Sequence, residues 1–577
     1  MTESAEYRAA NDAVRGHFFS QVWKLTAPYW RSEEKGTAWL LLIVVIALSL
    51  VGVGVSVWVN TWYRDFYNAL QNKDLDAFIR LILYFCGIAA VAILVAVYRL
   101  YLTQMLTIRW RRWLTEKHFA AWLSDKNYYR LEQRGYTDNP DQRLSEDLNS
   151  FTDTTLSLGL GLIRNLVSLV SFSVILWGVS GSIELFGISI PGYMFWAALL
   201  YALVGSWLTH LIARRLIGLN NQQQRYEADL RFGLVRIREN AESIALYNGE
   251  GSENERLMTR FRNVWGNFWE LMKVQKRLTF FSSGYAQIAI IFPIVVAAPR
   301  YFAGKIQLGE LMQINSAFGN VQDGLSWFID AYSSLATWRA TCDRLLSFRN
   351  AMDEVAGEHE SIAVQAAGNG LQLKHLSLRL GDGSVLLEPT DLTLRAGEHV
   401  LISGPSGAGK STLLRAMSGL WRYGAGQVQM PAARTLFLPQ KPYLPIGSLA
   451  TALSYPEAPD RHGPERLREV LRLCRLEHLG ERLDEAQHWQ RLLSPGEQQR
   501  LAIARALLYA PAWLFLDEAT SALDDNDEAA LYQTLLEQLP GVTLVSIGHR
   551  ADLRRFHERQ LRLEDRHLRE VEAVLPA

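Results

Sequence analysis

The stretch EHVLISGPSGAGKSTLLRAMSGLW, residues 398–421, decides the fold of half the chain. Its first part, EHVLISG, is a short apolar run ending in glycine and predicts a buried strand. Its last part repeats apolar residues at helical spacing. Between them stands the pattern GxxxxGK[ST], from Gly404 to Ser411. Strand, glycine-rich loop and helix form the context in which that pattern carries a mechanism. Glycines let the backbone turn tightly and aim N–H groups at phosphate oxygens. The expected cradle is Gly404, Pro405, Ser406, Gly407, Ala408, Gly409, Lys410, Ser411 and Thr412. Lys410 is expected to reach the outer phosphates of ATP, and Ser411 to offer its hydroxyl to Mg²⁺. The helix N-terminus adds the positive end of its dipole.

Working outward, three further strands carry chemistry at their ends. WLFLDEAT, 513–520, has four apolar residues followed by two acids. Asp517 suits Mg²⁺, usually through water. Glu518, one residue on, is placed to polarise an attacking water as general base. TLVSIGHR, 543–550, ends at His549. A histidine at a strand end is more often structural, but beside a second phosphate-side strand a γ-phosphate contact is the better reading. Gln440 follows the apolar run in LFLPQKPYL. Its amide is a candidate for sensing Mg²⁺ or the water, with an ordinary loop residue as the alternative.

A second phosphate-touching stretch, LLSPGEQQRLAIARAL at 492–507, stands far from the first. It resembles the signature motif of ATP-binding-cassette proteins. The order of motifs is also theirs: P-loop, LPQ, signature, FLDEATSALD, then IGHR. In that family two nucleotide domains meet head to tail, and the P-loop of one closes with the signature of the other over one ATP. The resemblance implies a homodimer in which Ser494 and Gly496 touch the partner's nucleotide. Two departures stand out. Pro495 replaces the usual first glycine and removes an N–H, and Glu497 replaces glutamine. The position that matches the family's adenine-stacking aromatic is Leu380.

The first half reads differently. A bilayer span takes ~20 mostly apolar residues. Six candidates fit: roughly Trp39–Val59, Leu81–Tyr101, Leu160–Ile183, Tyr193–Ala213, Phe280–Pro299 and Leu311–Trp338. Pro293 is expected to kink the fifth. The loops after the second and fourth spans are rich in Arg and Lys, from Arg109 to Arg143 and from Arg214 to Arg277. The outer loop VSGSIELFGISIP has neither. That alternation predicts both termini and the ATPase domain on the cytoplasmic side. Both basic loops read as helix, so the spans are expected to run on below the membrane as hairpins. TDNPDQRLSEDL, 137–148, predicts a turn at Asn-Pro and then a new helix. A tip of that kind suits contact with another domain, although an ordinary surface turn has the same pattern.

The expected fold class is therefore a membrane α-helical domain of six helices, 1–345, followed by an α/β P-loop nucleotide-binding domain, 346–577. Composition narrows the partners. Lys plus Arg and Asp plus Glu are equal at 59 each, so no basic surface for nucleic acid is expected. Cys86, Cys342 and Cys474 show no metal or disulfide spacing. The opening MTESAEYRAANDAVRG is polar and unlike a secretory signal.

Several stretches narrow the resemblance: NTWYRDFYNALQNKD, IRWRRWLTEKHFAAWL, NPDQRLSEDL, VRIRENAESIALYNGE and AAPRYFAGKIQLGELMQ. They look like the SbmA/BacA-type transporters and the related peroxisomal ABC fatty-acyl transporters. The resemblance implies an exporter-type fold in a bacterial inner membrane. It implies hydrophilic solutes such as peptides or cobalamin, with uptake as the expected direction. A lipid or fatty-acyl transporter and a non-transporting regulatory ATPase are the alternatives. On the sixth span, Gln313, Ser316, Asn320, Asp323, Trp327, Asp330 and Ser334 share one helical face. That face is expected to line a polar, acidic cavity suited to cationic or heavily hydrated solutes. The alternative is that its acids pair with bases such as Arg300.

Overall fold

A computed structural model describes residues 18–134, 139–185, 188–357 and 361–571. The chain divides into two compact units, 1–356 and 357–577. The division falls later than 345/346 because the last helix of the first unit runs unbroken to Gly357.

The first unit is helical. Its main helices are α1 (Phe18–Trp30), α2 (Lys35–Gln71), α3 (Leu75–Leu123), α4 (Leu148–Ser180), α5 (Tyr193–Glu239), α6 (Glu250–Phe302) and α7 (Leu308–Gly357). Five helical stretches are long and apolar enough to cross a bilayer: Lys35–Gln71, Leu75–Arg134, Pro140–Ser180, Tyr193–Glu239 and Glu250–Phe302. The expected sixth span, Leu311–Trp338, lies inside α7, whose length of 50 residues suffices. Its composition falls short, because Gln313, Asn320, Asp323 and their neighbours dilute the apolar run. At 1.5 Å per residue, the 49 residues of α3 reach ~70 Å, more than twice a ~30 Å hydrocarbon core. The long helices thus continue well outside the apolar layer, as the loop pattern predicts.

Local chemistry sets the ends. Asp74 caps α3 by accepting from the Ala77 N–H at 3.0 Å. The expected third span reaches Ile183, but α4 stops at Ser180 because Gly181 turns to φ 62°. Ile183 instead lies in a strand, Ser182–Leu185, paired antiparallel with Ile188–Pro191. Pro293 sits inside a helix that runs on to Phe302. Asn139 adopts φ 51°, Pro140 starts a helical turn, and the segment then feeds α4, as the Asn-Pro pattern predicts.

The two larger of the apolar clusters among the described residues of this unit span several helices. One packs Leu25 and Tyr29 of α1 against Trp110, Phe151 and Leu345. Tyr29 stacks on Trp110 with ring centres 5.8 Å apart. The other gathers Phe172, Met194, Ala317 and Phe318. A buried ion cluster ties the Asn-Pro segment to α7. Arg344 donates to Asp147 at 2.9 and 2.6 Å, and Arg143 donates to it at 2.5 Å.

The second unit is α/β. Its strands are β1 (Ile362–Ala366), β2 (Leu371–Arg379), β3 (Val385–Leu394), β4 (His399–Ser403), β5 (Gly424–Met430), β6 (Thr435–Leu438), β7 (Trp513–Asp517), β8 (Thr543–Ile547), β9 (Arg559–Glu564) and β10 (His567–Val571). The larger sheet has the order β10-β9-β4-β8-β7-β6. Only its β9–β10 pairing is antiparallel. The smaller sheet has the order β1-β5-β2-β3. The central strands are apolar on both faces: Leu401, Phe515, Leu516, Leu544 and Val545 are all buried. Three helices concern the site: α8 (Lys410–Met417), α9 (Pro495–Tyr509) and α10 (Asp525–Gln538). Because β4, β7 and β8 run parallel, their C-terminal ends emerge together, where ligands bind in such sheets.

The Asp147 cluster is testable. Burial alone would raise this carboxyl, but hydrogen bonds from Arg344 and then Arg143 more than offset it and hold it below its ordinary value. Removing the acid strands Arg143, whose side chain is 13 % exposed. Asp147→Ala is expected to destabilise the first unit by about 3 kcal/mol, read as a lower thermal midpoint in detergent. The contribution is full at neutral pH and is lost as pH falls through the depressed value. A midpoint unchanged by Asp147→Ala would show that the cluster adds no stability.

Candidate functional site

The P-loop curls around its own lysine. The Lys410 ammonium donates to the carbonyl oxygens of Gly404 and Pro405, both at 2.9 Å. Gly404 has φ 150°, and a Cβ there would stand 2.2 Å from the Leu563 carbonyl oxygen. Gly409, at φ 100°, turns the chain into α8. No L side chain sits easily at either position.

The sheet brings the predicted groups to this loop. Ser411 Oγ donates to Asp517 Oδ1 at 2.8 Å, joining α8 to the end of β7. These two oxygens suit a hard divalent cation that takes its remaining ligands from phosphate and water. Among the described residues no group of three or more His, Cys, Asp or Glu side chains could hold a metal by itself. Burial lowers Lys410 and raises Asp517 from their ordinary values, pushing each towards its neutral form. A magnesium–phosphate ligand would supply the opposite charge to each.

Glu518 stands at φ 50°, an uncommon conformation for a carboxylate residue, pinned by its N–H to the Ile547 carbonyl at 3.1 Å. Its Oε1 lies 2.8 Å from His549 Nε2, and its Oε2 accepts from Gln440 Nε2 at 3.1 Å. Three predicted residues from three strand ends thus meet on one carboxylate.

Ser494 and Gly496 stand apart from this cluster. Among the described residues no hydrogen bond joins them to the P-loop. Ser494 caps α9 and exchanges bonds with Glu497, whose Oε2 accepts from Ser494 N at 2.9 Å and Oγ at 2.7 Å. Pro495 takes the first helical position, where a missing N–H costs the helix nothing. A Cβ at Gly496 would press on Leu523 at 3.3 Å and the Ala522 carbonyl at 3.4 Å. Burial would raise Glu497, but Ser494 and then His478 hold it below its ordinary value.

Leu380 is exposed just after β2, and Trp421 donates to the adjacent Arg379 carbonyl at 3.0 Å. An indole therefore stands next to the position that lacks an aromatic.

Sequence spacing missed Gln499. Its Nε2 donates to the Gln440 carbonyl at 3.1 Å and to Ser521 Oγ at 3.3 Å, and its Oε1 accepts from Ala522 N at 2.8 Å. One buried amide on α9 ties the Gln440 loop to the turn after Glu518. A buried Gln on an otherwise apolar helix face was the available signal. Arg505 on the same helix donates to Ala452 O at 2.6 Å and Tyr443 O at 3.2 Å.

In the first unit the polar face of α7 divides. Gln313 is buried and exchanges bonds with Asn60 at 3.0 and 3.2 Å. Asn320 and Asp323 line a cavity of about 340 Å³. A Cβ at Gly161 would meet Trp327 at 2.8 Å, so Trp327 packs on a helix, and the Asp330 side chain lies outside the described residues. Arg300 sits against Gly181, so it is not the partner of Asp323. The cavity wall is not acidic as expected: Arg99 and Arg164 line it with Asp323. The spacing of α7 alone could not show which charges α3 and α4 would place opposite it.

Gln499→Leu is expected to lower the ATP turnover rate by about tenfold, the effect of ~1–2 kcal/mol in lost positioning bonds. Nucleotide affinity should stay within about threefold, because Gln499 does not touch the P-loop. Steady-state hydrolysis and equilibrium binding of a fluorescent ATP separate the two. Equal loss in both would assign Gln499 to stability alone.

Residues 25–302 match the family described as ABC transporter transmembrane region 2, and residues 387–521 match the family described as ABC transporter. An uncharacterized ABC transporter ATP-binding protein of Haemophilus influenzae is 37 % identical over 547 residues, covering 95 % of this chain and 92 % of that protein. The human lysosomal cobalamin transporter ABCD4 is 30 % identical, covering 94 % of both chains. A solved bacterial Atm1-family ABC exporter with ATP bound superposes with a TM-score of 0.71 at 19 % identity, over 92 % of this chain and 94 % of that one. That likeness concerns the fold. With the P-loop, the paired acids and the signature helix on one α/β unit behind a helical membrane region, this chain belongs to the ABC transporters, ATPases coupled to transport across a membrane.

Proposed function

We propose that the protein is a homodimer that hydrolyses ATP at two shared sites to take up a hydrophilic solute. The observation that carries the catalytic reading is the junction at Glu518. Its carboxylate lies between His549 and Gln440, one residue from Asp517, which bonds Ser411 of the P-loop. Glu518 orients the attacking water, and His549 positions Glu518 and faces the γ-phosphate. Lys410 binds the outer phosphates. Ser411, Asp517 and Gln440 serve Mg²⁺ directly or through water. The free N-terminus of α9, with Ser494 and Gly496, completes the partner's site. Its separation from the P-loop of its own chain supports that assignment.

The polar cavity in the membrane unit favours a hydrophilic solute, peptide-like or cobalamin-like, and the relative ABCD4 carries cobalamin in its name. Basic second and fourth loops favour a cell-membrane protein with the ATPase unit and both termini in the cytoplasm. The apolar side of the same cavity, with Val53, Val95 and Ala96, favours a second reading in which the solute is a lipid or acyl amphiphile.

Glu518→Gln is expected to reduce hydrolysis by at least about 100-fold while ATP still binds. Turnover near the wild-type rate would remove Glu518 as the base. Ser406→Cys with Ser494→Cys, in a chain whose exposed Cys86 is changed to Ser, should give a covalent dimer when ATP is added to the Glu518→Gln background. A bond confined to single chains would end the shared-site reading. Uptake of cyanocobalamin and of a labelled cationic peptide into vesicles of both orientations tests solute and direction. ATP-dependent accumulation of an acyl compound alone would favour the second reading.

A further inference from the structure

The cavity between α2, α3, α4 and α7 holds an unsolved charge problem. Its charged lining residues are Arg99, Arg164 and Asp323. Among the described residues none of these three side chains makes a hydrogen bond or an ion pair. Asp323 forms no ion pair with either, so one acid faces two bases in this lining. Like charges within a bilayer span are expensive and are found paired or facing water. Here both face the same cavity, one from α3 and one from α4.

We propose that Arg99 and Arg164 together bind one oxyanion, a phosphate or carboxylate group, in this cavity. Each guanidinium offers a planar fork that matches such a group, and two forks from opposite helices would clamp it. Ser168 and Asn165 add polar atoms beside them, while Val95 and Ala96 leave an apolar wall for the rest of the ligand. Asp323, on the same cavity lining, weakens the pull on any anion. The site therefore prefers an anionic head joined to a less polar body. Such a group belongs either to the transported solute, which deepens the transport reading and rests on it, or to a bilayer phospholipid.

The test is equilibrium binding to the full chain in phosphatidylcholine nanodiscs without ATP. The probes share one tail: hexyl phosphate, hexanoate and hexyltrimethylammonium. Hexyl phosphate and hexanoate should each bind about tenfold or more tighter than the cation. Arg99→Gln and Arg164→Gln should each weaken hexyl phosphate by about tenfold. Asp323→Asn should strengthen it, a change of opposite sign that loss of structure would not produce. Anion and cation binding alike, or arginine substitutions that leave the anion affinity within about twofold, would overturn the proposal.

Two further arms identify the source. In nanodiscs with added phosphatidylglycerol, a lipid occupant lowers the apparent affinity for hexyl phosphate, and native mass spectrometry finds lipid retained by the wild type and lost from Arg164→Gln. A solute site is unaffected by phosphatidylglycerol. Because binding is read without ATP, it fails separately from transport. A chain that accumulates its solute but binds hexyl phosphate no better than the cation loses this site and keeps the proposed function. A chain that binds hexyl phosphate selectively but moves nothing keeps the site and loses the function.

Discussion

The Ser411–Asp517 hydrogen bond joins residues 106 positions apart, and the rest of the nucleotide unit is arranged so that it forms. It requires β4 and β7 to run parallel and to end at the same level. The order β4-β8-β7 places β8 between them, so the chain end carrying His549 arrives from the middle. Parallel pairing needs long crossovers, and α9 and α10 belong to those crossovers. The site is therefore a consequence of topology, and local loop preferences alone would not assemble it.

That arrangement concentrates charges that are not balanced within one chain. Lys410 leans on two carbonyl oxygens, and Asp517 has one hydroxyl. Burial pushes both towards neutrality. Glu518 has two side-chain partners but sits at a strained φ, held by backbone bonds to Ile547 and Ser521. Strain of this kind is maintained by surrounding structure, and here Gln499 supplies part of it from α9. The same helix carries Ser494 at its outer end. One element thus holds the chain's own Gln440 loop and presents a cap away from the chain's own P-loop.

The parts of this structure that were legible in the sequence are those fixed by local pattern. Strand, loop and helix at 398–421 follow from apolar runs and glycine placement, and the acids after WLFL fall where a buried strand must end. Five helical stretches with the apolar length of a span follow from composition. Other features depend on distant partners. Gln499 reads as an ordinary helix residue until the Gln440 loop and Ala522 fold against it. The helix α1 is too short and mixed to announce itself, yet Tyr29 is fully buried against Trp110. The end of α4 was misplaced because an apolar run continues past Gly181, whose positive φ alone ends the helix. Of the polar face of α7, Asn320 and Asp323 line the cavity, while Gln313 and Trp327 pack elsewhere and arginines stand beside the acid. Helical periodicity shows what shares a face, not what faces it.

The two units treat charge in one way. In the nucleotide unit burial leaves a lysine and an aspartate with few partners, and a ligand of mixed charge would complete both. In the membrane unit two arginines face a cavity with too few acids. Side chains this costly to bury persist only where something repays the cost. In a structural ion pair the repayment is another residue of the chain, as Arg143 and Arg344 show around Asp147. Where no residue does so, the proposed partner is a molecule that comes and goes. A transporter needs such a partner in both places, because a site balanced within the protein would have no electrostatic reason to bind its cargo.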